Sequence, residues 1–167
     1  MKTRILKSKN VSFLVIILYT VFSFGTHSTY AQTNCDVDIN AKKNRNSKNI
    51  STEGSAYRMV ITNNGSNTDT FVLRSIDINN TCTNPDGSSN ADNVVLNYNF
   101  LDSENNKITS VTLSPGETYN FLVAVIVPNG TATNKWSCVE IVASSTNCEN
   151  YSSSTVLQSM VIDPSVD

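Results

Sequence analysis

From residue 57 onward, the apolar residues of this chain fall on every second position, in short runs. Tyr57, Met59 and Ile61 alternate with Arg58, Val60 and Thr62. Phe71 and Leu73 begin a run that continues through Ile76 and Ile78. Val94, Leu96, Tyr98 and Phe100 make a third, and Tyr119, Phe121, Val123, Val125 and Val127 a fourth that stops at Pro128. Successive side chains of a strand point to opposite faces, so this period puts one face in a core and the other in water. No stretch repeats apolar residues at helical spacing. The segments between the runs are rich in Asn, Asp, Gly, Ser and Pro, which set turns by their backbone preferences or side-chain hydrogen bonds.

The punctuation predicts the strand count. Asn63-Asn64-Gly65 turns the chain after the first clear strand. Ser114-Pro115-Gly116-Glu117 is a tight turn with Pro and Gly in its two central places. Shorter strands are expected at residues 35–41, 108–113, 136–143 and 155–162. Residues 42–54 read as a polar loop with a weak strand, and residues 79–93, with Pro85-Asp86-Gly87, as a long loop. Seven to eight short strands joined by such turns predict an all-β, antiparallel β-sandwich. Its core is expected to hold Tyr57, Met59, Ile61, Phe71, Leu73, Leu96, Tyr98, Phe100, Phe121, Val123, Val125 and Ile141.

The N-terminus reads as an address. Lys2, Arg4, Lys7 and Lys9 precede an almost wholly apolar segment, residues 11–24, and Thr29 and Ala31 place small residues at −3 and −1 of a cut before Gln32. This is the pattern of a cleaved signal peptide over residues 1–31, leaving one domain over residues 32–167. The apolar segment is short of the roughly 20 residues a membrane-spanning helix needs, so no span is expected after processing. A lipoprotein anchor is not expected either, because Cys35 lies well past the apolar run and follows the polar Asn34. The expected location is secreted: periplasmic, cell-surface or extracellular.

Processing changes the charge. Four of the 12 basic residues leave and none of the 14 acidic ones, so the processed chain carries a net charge of −6. There is no basic excess to hold a phosphate backbone, and no nucleic-acid partner is expected. The single histidine, His27, leaves as well. Mechanisms that use an imidazole as base or metal ligand are thereby excluded from the processed chain.

All four cysteines, Cys35, Cys82, Cys138 and Cys148, survive. An even number in an oxidising compartment reads as two disulfides. Zinc is disfavoured because no CxxC pair occurs. Residue types alone leave all three pairings open.

Other residues suggest chemistry and carry little of it. Asp36 and Asp38, two apart, would share a strand face, and Asp102 and Glu104 sit at a hairpin turn. Both pairs are expected to be solvated carboxylates rather than the acid–base pair of a glycosidase. The loop with Asn84, Asp86, Asn90 and Asp92 has the oxygen ligands that calcium favours, but not the EF-hand order. It is the weak calcium candidate, and no metal or other cofactor is expected. Trp136 is the single tryptophan. If Val139, Ile141 and Ala143 face the core, it faces outward or stands at the strand's beginning, with packing expected over sugar stacking. Lys42, Lys43, Arg45 and Lys48 form a basic run, read as a solvated loop.

One ordered set of motifs has a familiar form: Tyr57-Arg-Met-Val-Ile-Thr-Asn-Asn-Gly65, Asp69-Thr-Phe-Val-Leu73, Val111-Thr-Leu-Ser-Pro-Gly-Glu117 and Val123-Ala-Val-Ile-Val-Pro128. It resembles bacterial immunoglobulin-like (Ig-like) modules of the NPCBM-associated NEW3 kind and their fibronectin-III-like and CARDB-like relatives. The resemblance implies an Ig-like sandwich. It also implies a non-catalytic binding module, not an enzyme, that serves adhesion or docking to an extracellular protein or glycan. The alternative is a structural or accessory subunit of a larger extracellular assembly. In such a sandwich the first strand begins at the end where the Tyr57–Ile61 strand finishes. That topology puts Cys35 and Cys148 at one end and Cys82 and Cys138 at the other, and so implies the pairs Cys35–Cys148 and Cys82–Cys138.

Overall fold

Nine strands form two sheets in the computed structural model, which describes residues 34–163. The expected signal peptide lies outside the described residues. In chain order the strands are β1 (Val37–Ala41), β2 (Ser47–Ile50), β3 (Ser55–Asn63), β4 (Asp69–Asp77), β5 (Asn97–Leu101), β6 (Ser110–Leu113), β7 (Thr118–Ile126), β8 (Lys135–Ser145) and β9 (Ser152–Val161). One sheet has the order β1-β3-β7-β5 and the other β2-β9-β8-β4-β6. The first matches the A-B-E-D sheet of an immunoglobulin constant-type domain, and β9-β8-β4 matches G-F-C. The protein is an all-β, Ig-like sandwich.

Two details differ from the sequence expectation. The strands of the described residues number nine rather than seven or eight, because the weak strand expected within residues 42–54 forms as β2. One pairing is parallel: β2 runs alongside β9 from Ser47↔Gln158 to Ile50↔Val161. The cause is a change of sheet. β1 follows β3 only as far as Ala41↔Met59. The chain then turns through Lys42–Asn44, with Lys43 and Asn44 at φ 59° and 55°, and joins the opposite sheet. It returns to β3 through Gly54, at φ 91°, where a Cβ would stand 2.3 Å from the Val125 carbonyl oxygen. Only glycine fits there.

The alternating residues supply the core. Tyr57, Met59 and Ile61 of β3, Phe71 and Leu73 of β4, Phe121, Val123 and Val125 of β7, and Ile141 of β8 are all buried. Val37, Ile39, Leu113, Val139, Leu157 and Val161 belong to the same cluster. Burying each such side chain is worth about 1.5–3 kcal/mol. Leu96 is buried although it lies just before β5, and Phe100 tilts against Phe121 with ring centroids 6.2 Å apart. Tyr98 is only half-buried, its hydroxyl 3.2 Å from Ser137 Oγ.

Asn63, 1% exposed, ties two turns together. Its Oδ1 accepts from the Gly65 N–H, its Nδ2 donates to the Asn67 and Leu113 carbonyls, and its own carbonyl accepts the Gly116 N–H at 2.7 Å. Gly116, at φ 74°, occupies the third place of the Ser114–Glu117 turn, where type II geometry requires positive φ.

Cys35 is bonded to Cys148 and Cys82 to Cys138, each with Cα atoms 6.4 Å apart. Two disulfides belong to an oxidising, extracytoplasmic environment. Among the described residues no helix is long and apolar enough to cross a membrane.

Candidate functional site

Where β1 leaves β3, a stretch of strand edge is left without a neighbour. β3 pairs with β7 from Ser55↔Val125 onward, yet β1 reaches back only to Met59. On its outer side, Ser55–Arg58 therefore faces a gap rather than a strand. The Lys42–Lys48 segment passes across that gap on its way to β2. A groove of about 900 Å³ results, lined by Lys42, Lys43, Arg45, Lys48 and Arg58, with Ser47, Ala56 and Tyr57.

Five of the eight cations in the described residues line this one groove, and no acid does. The ion pair formed among the described residues is elsewhere, Lys135 Nζ to Asp92 Oδ2 at 3.0 Å. No carboxylate of the described residues is in ion-pair contact with a groove cation. Lys43 adopts a left-handed conformation that a long L side chain seldom takes, and such residues collect at functional sites.

The five cations are not equivalent. Lys48 Nζ donates to Ala56 O and to Ser55 Oγ, both at 2.7 Å, and lies 4.6 Å from the centre of the Tyr57 ring. Its amine caps the unpaired β3 carbonyl, and desolvation lowers its pKa. The Tyr57 ring beneath is 2% exposed, and its hydroxyl donates to Gln158 O at 2.6 Å and meets Ser159 Oγ at 2.9 Å. Burial raises the Tyr57 pKa. Lys42, Lys43, Arg45 and Arg58 are exposed. The sequence suggested only a solvated loop for the basic run at residues 42–48, and did not join Arg58 to it. The link between them is a strand register, and the only sequence signal was a basic residue on the outward face of the Tyr57–Ile61 strand.

The other candidates are separated or internally engaged. Both Asp38 carboxylate oxygens accept from Asn40 Nδ2 at 2.8 Å, whereas Asp36 accepts from the Tyr151 hydroxyl at 3.0 Å. That hydrogen bond raises the Tyr151 pKa. Asp102 accepts the Glu104 and Asn106 N–H groups, both at 2.8 Å, and lies low in pKa chiefly through Asn106.

The 79–93 loop is knit by its amides. Asn84 is buried and points its Nδ2 at Ser88 Oγ and Asn93 Oδ1, at 3.1 and 2.8 Å. Asn90 Nδ2 donates to the Asn80 and Cys82 carbonyls, and Asp92 is held by Lys135. Asn79 donates to Val94 O and accepts the Cys138 N–H at 2.7 Å. The Asn84 and Asn90 amides are thus engaged within the loop, Asn84 Oδ1 accepting from Asn93 Nδ2 at 3.0 Å. Among the described residues no group of three or more acidic, cysteine or histidine side chains could hold a metal.

Trp136 lines the small pocket beneath this loop, beside Asn84, Asp86 and Asn93, and is 8% exposed. Its indole Nε1 is buried with no hydrogen-bond partner. The Asp86 carboxyl beside it has its pKa lowered to about 2, with the Trp136 side chain as first cause and the hydrogen bonds from Ser88 next.

No protein-family model matches the chain, and no curated protein matches it. Solved structures do. It is similar to a FixG-related protein from Vibrio parahaemolyticus, at 7% identity and TM-score 0.48, over 77% of this chain and 96% of that one. It is also similar to the E. coli chaperone DraB, at 8% identity and TM-score 0.46, over 80% of this chain and 58% of that one. A third likeness is to a family 123 glycoside hydrolase from Clostridium perfringens, at 12% identity and TM-score 0.47. The match there covers 77% of this chain but spans only 27% of the hydrolase. At such scores none of these likenesses carries function across, and the fold assignment stands on the sheet order of the chain itself.

Proposed function

We propose that the protein is a secreted, non-catalytic Ig-like binding module, released by cleavage before Gln32, that docks to an extracellular protein or glycan. The observation that carries this reading is the uncompensated basic groove on a chain whose processed form is acidic overall. Unpaired charge gathered at one place in a molecule of opposite net charge gives direction to association. The two disulfides support it, since they hold both ends of the sandwich rigid without demanding anything of the groove.

A second reading has its own observation. β6 pairs with β4 only from Asp69 to Val72, and the last β4 contact on that side is the Leu73 N–H to Thr109 O. Beyond it, Arg74–Asp77 lack a neighbouring strand on that side. An extended segment of another chain could add there, as in strand-addition assemblies. The protein would then be a structural or accessory subunit.

A pull-down from cell-envelope extract, run beside a glycan array with the secreted protein, separates these readings. Retention that is lost on neutralising groove cations supports docking through the groove. Retention that survives this but is lost on Ser75→Pro, which removes an N–H facing the open side of β4, supports the subunit reading. No retained component in either format contradicts both.

A further inference from the structure

We propose that the groove is a binding site for an acidic polysaccharide, with its carboxylate or sulfate groups held by Lys42, Lys43, Arg45 and Arg58. The inference rests on the binding-module reading and deepens it by naming the ligand's chemistry.

Three features of the groove choose that chemistry. The first is charge. Four exposed cations, two of them on the consecutive residues Lys42 and Lys43, share a groove to which no acidic side chain contributes. Such an array suits a ligand with repeated anionic groups, and the arginines can grip carboxylate or sulfate oxygens in pairs.

The second is what Lys48 takes away. An unpaired strand edge ordinarily invites an extended peptide, and an acidic one would suit the charge. Here the Ala56 carbonyl already accepts from Lys48 Nζ at 2.7 Å. Strand addition along Ser55–Arg58 would have to expel that amine. Recognition is left to side chains rather than to the backbone, which disfavours a peptide ligand.

The third is the state of the aromatic ring. Tyr57 is the aromatic residue lining the groove, and it is 2% exposed, with Lys48 over its face. It offers no platform for stacking. Single-stranded nucleic acids draw much of their affinity from base stacking. Neutral sugars likewise use the apolar faces of exposed aromatics. An acidic polysaccharide needs neither. The groove's volume, about 900 Å³, lies within the range of small-ligand clefts and holds a short stretch of a longer chain.

The test uses the secreted protein against immobilised polygalacturonate, dextran sulfate and neutral dextran, with anionic phospholipid vesicles as a separate arm. K43Q/R58Q and R45Q weaken the groove, and R74Q removes a cation outside it. The expected result is retention on polygalacturonate or dextran sulfate and none on neutral dextran. Affinity should fall at least tenfold in K43Q/R58Q, severalfold in R45Q and less than twofold in R74Q, and should weaken with added salt. The variants alter exposed side chains, and an unchanged melting temperature confirms that each is folded. Polyanion retention unaffected by K43Q/R58Q overturns the proposal, as does preferential retention on vesicles. Failure on both polyanions, with an envelope protein still captured in the pull-down, overturns the acidic-polysaccharide site and leaves the binding-module reading standing. Failure in every format overturns both.

Discussion

The Lys48 amine sits 2.7 Å from the Ala56 carbonyl oxygen, across the gap that opens where β1 parts from β3. A strand edge exposed at a sheet crossover is a liability, and a lysine placed on it is one of the ways proteins blunt such edges. The same contact separates Lys48 from the four exposed cations around it. Lys48 belongs to the frame of the groove, the others to its surface.

Lys48→Met should therefore act on stability and edge protection. It keeps the aliphatic stem and removes two hydrogen bonds, each worth about 0.5–1.5 kcal/mol net. Urea unfolding should show a loss of about 1–3 kcal/mol, with a new tendency to self-associate. A variant as stable and as monomeric as the parent would show that the contact protects nothing.

Leu73 is 4% exposed in the middle of β4. Leu73→Ala should cost about 2–5 kcal/mol, as buried leucine truncations do when the cavity cannot collapse. Denaturant unfolding reads this directly. A cost below about half a kcal/mol would place that face in water.

Alkali should unfold the protein through its tyrosines. Burial raises the pKa of Tyr57 and, to a lesser extent, of Tyr98 above the ordinary value of 10.0. Their protonated forms are thus favoured by folding. Their contribution to stability is complete below pH 10 and is lost as the pH climbs from there through the raised folded values. Each such group contributes a slope of about 1.4 kcal/mol per pH unit over its window. Tyr57→Phe should be less stable at neutral pH and should show a shallower decline above pH 10. An identical alkaline slope in both proteins would contradict the assignment.

The disulfides are tested by peptide mapping without reduction. The expected cross-linked peptides join Cys35 to Cys148 and Cys82 to Cys138. The first spans 113 residues of sequence, and closing a loop of that length is credited with about 4–5 kcal/mol in chain-entropy models. A Cys138–Cys148 peptide would contradict both the pairing and the strand directions.

The sandwich was legible because its core strands are buried on one face, and burial writes itself into the sequence as alternation. β3 and β7 are the clearest cases. β2 was nearly invisible for the converse reason. Of its residues Ser47–Ile50 only Ile50 is buried, and its place is fixed by backbone pairing with β9, which leaves no side-chain pattern.

Trp136 shows a different limit. Alternation left two places for it, the outward face or the strand's beginning, with packing expected; it stands at the beginning of β8 and is buried, because the Asn-rich loop bonded to Cys138 folds over it. Val94 and Leu96 alternate like strand residues yet precede β5. The Val94 N–H goes to Trp136 O and its carbonyl to Asn79 Nδ2, so side-chain amides replace a ladder there. Arg58 stood apart from the basic run at residues 42–48, which the sequence suggested was only a solvated loop. Nothing local joins it to Lys42 and Lys43; only the departure of β1 after Ala41↔Met59 brings them to one groove.

The central claim is that the uncompensated basic groove is the protein's docking surface. Its most direct test is equilibrium binding of the secreted protein to intact cell-envelope material, comparing the parent, K43Q/R58Q and R74Q at one ionic strength. Binding by the parent and R74Q, with at least a tenfold loss in K43Q/R58Q, is the predicted result. Equal binding by all three proteins, or none by the parent, would contradict it.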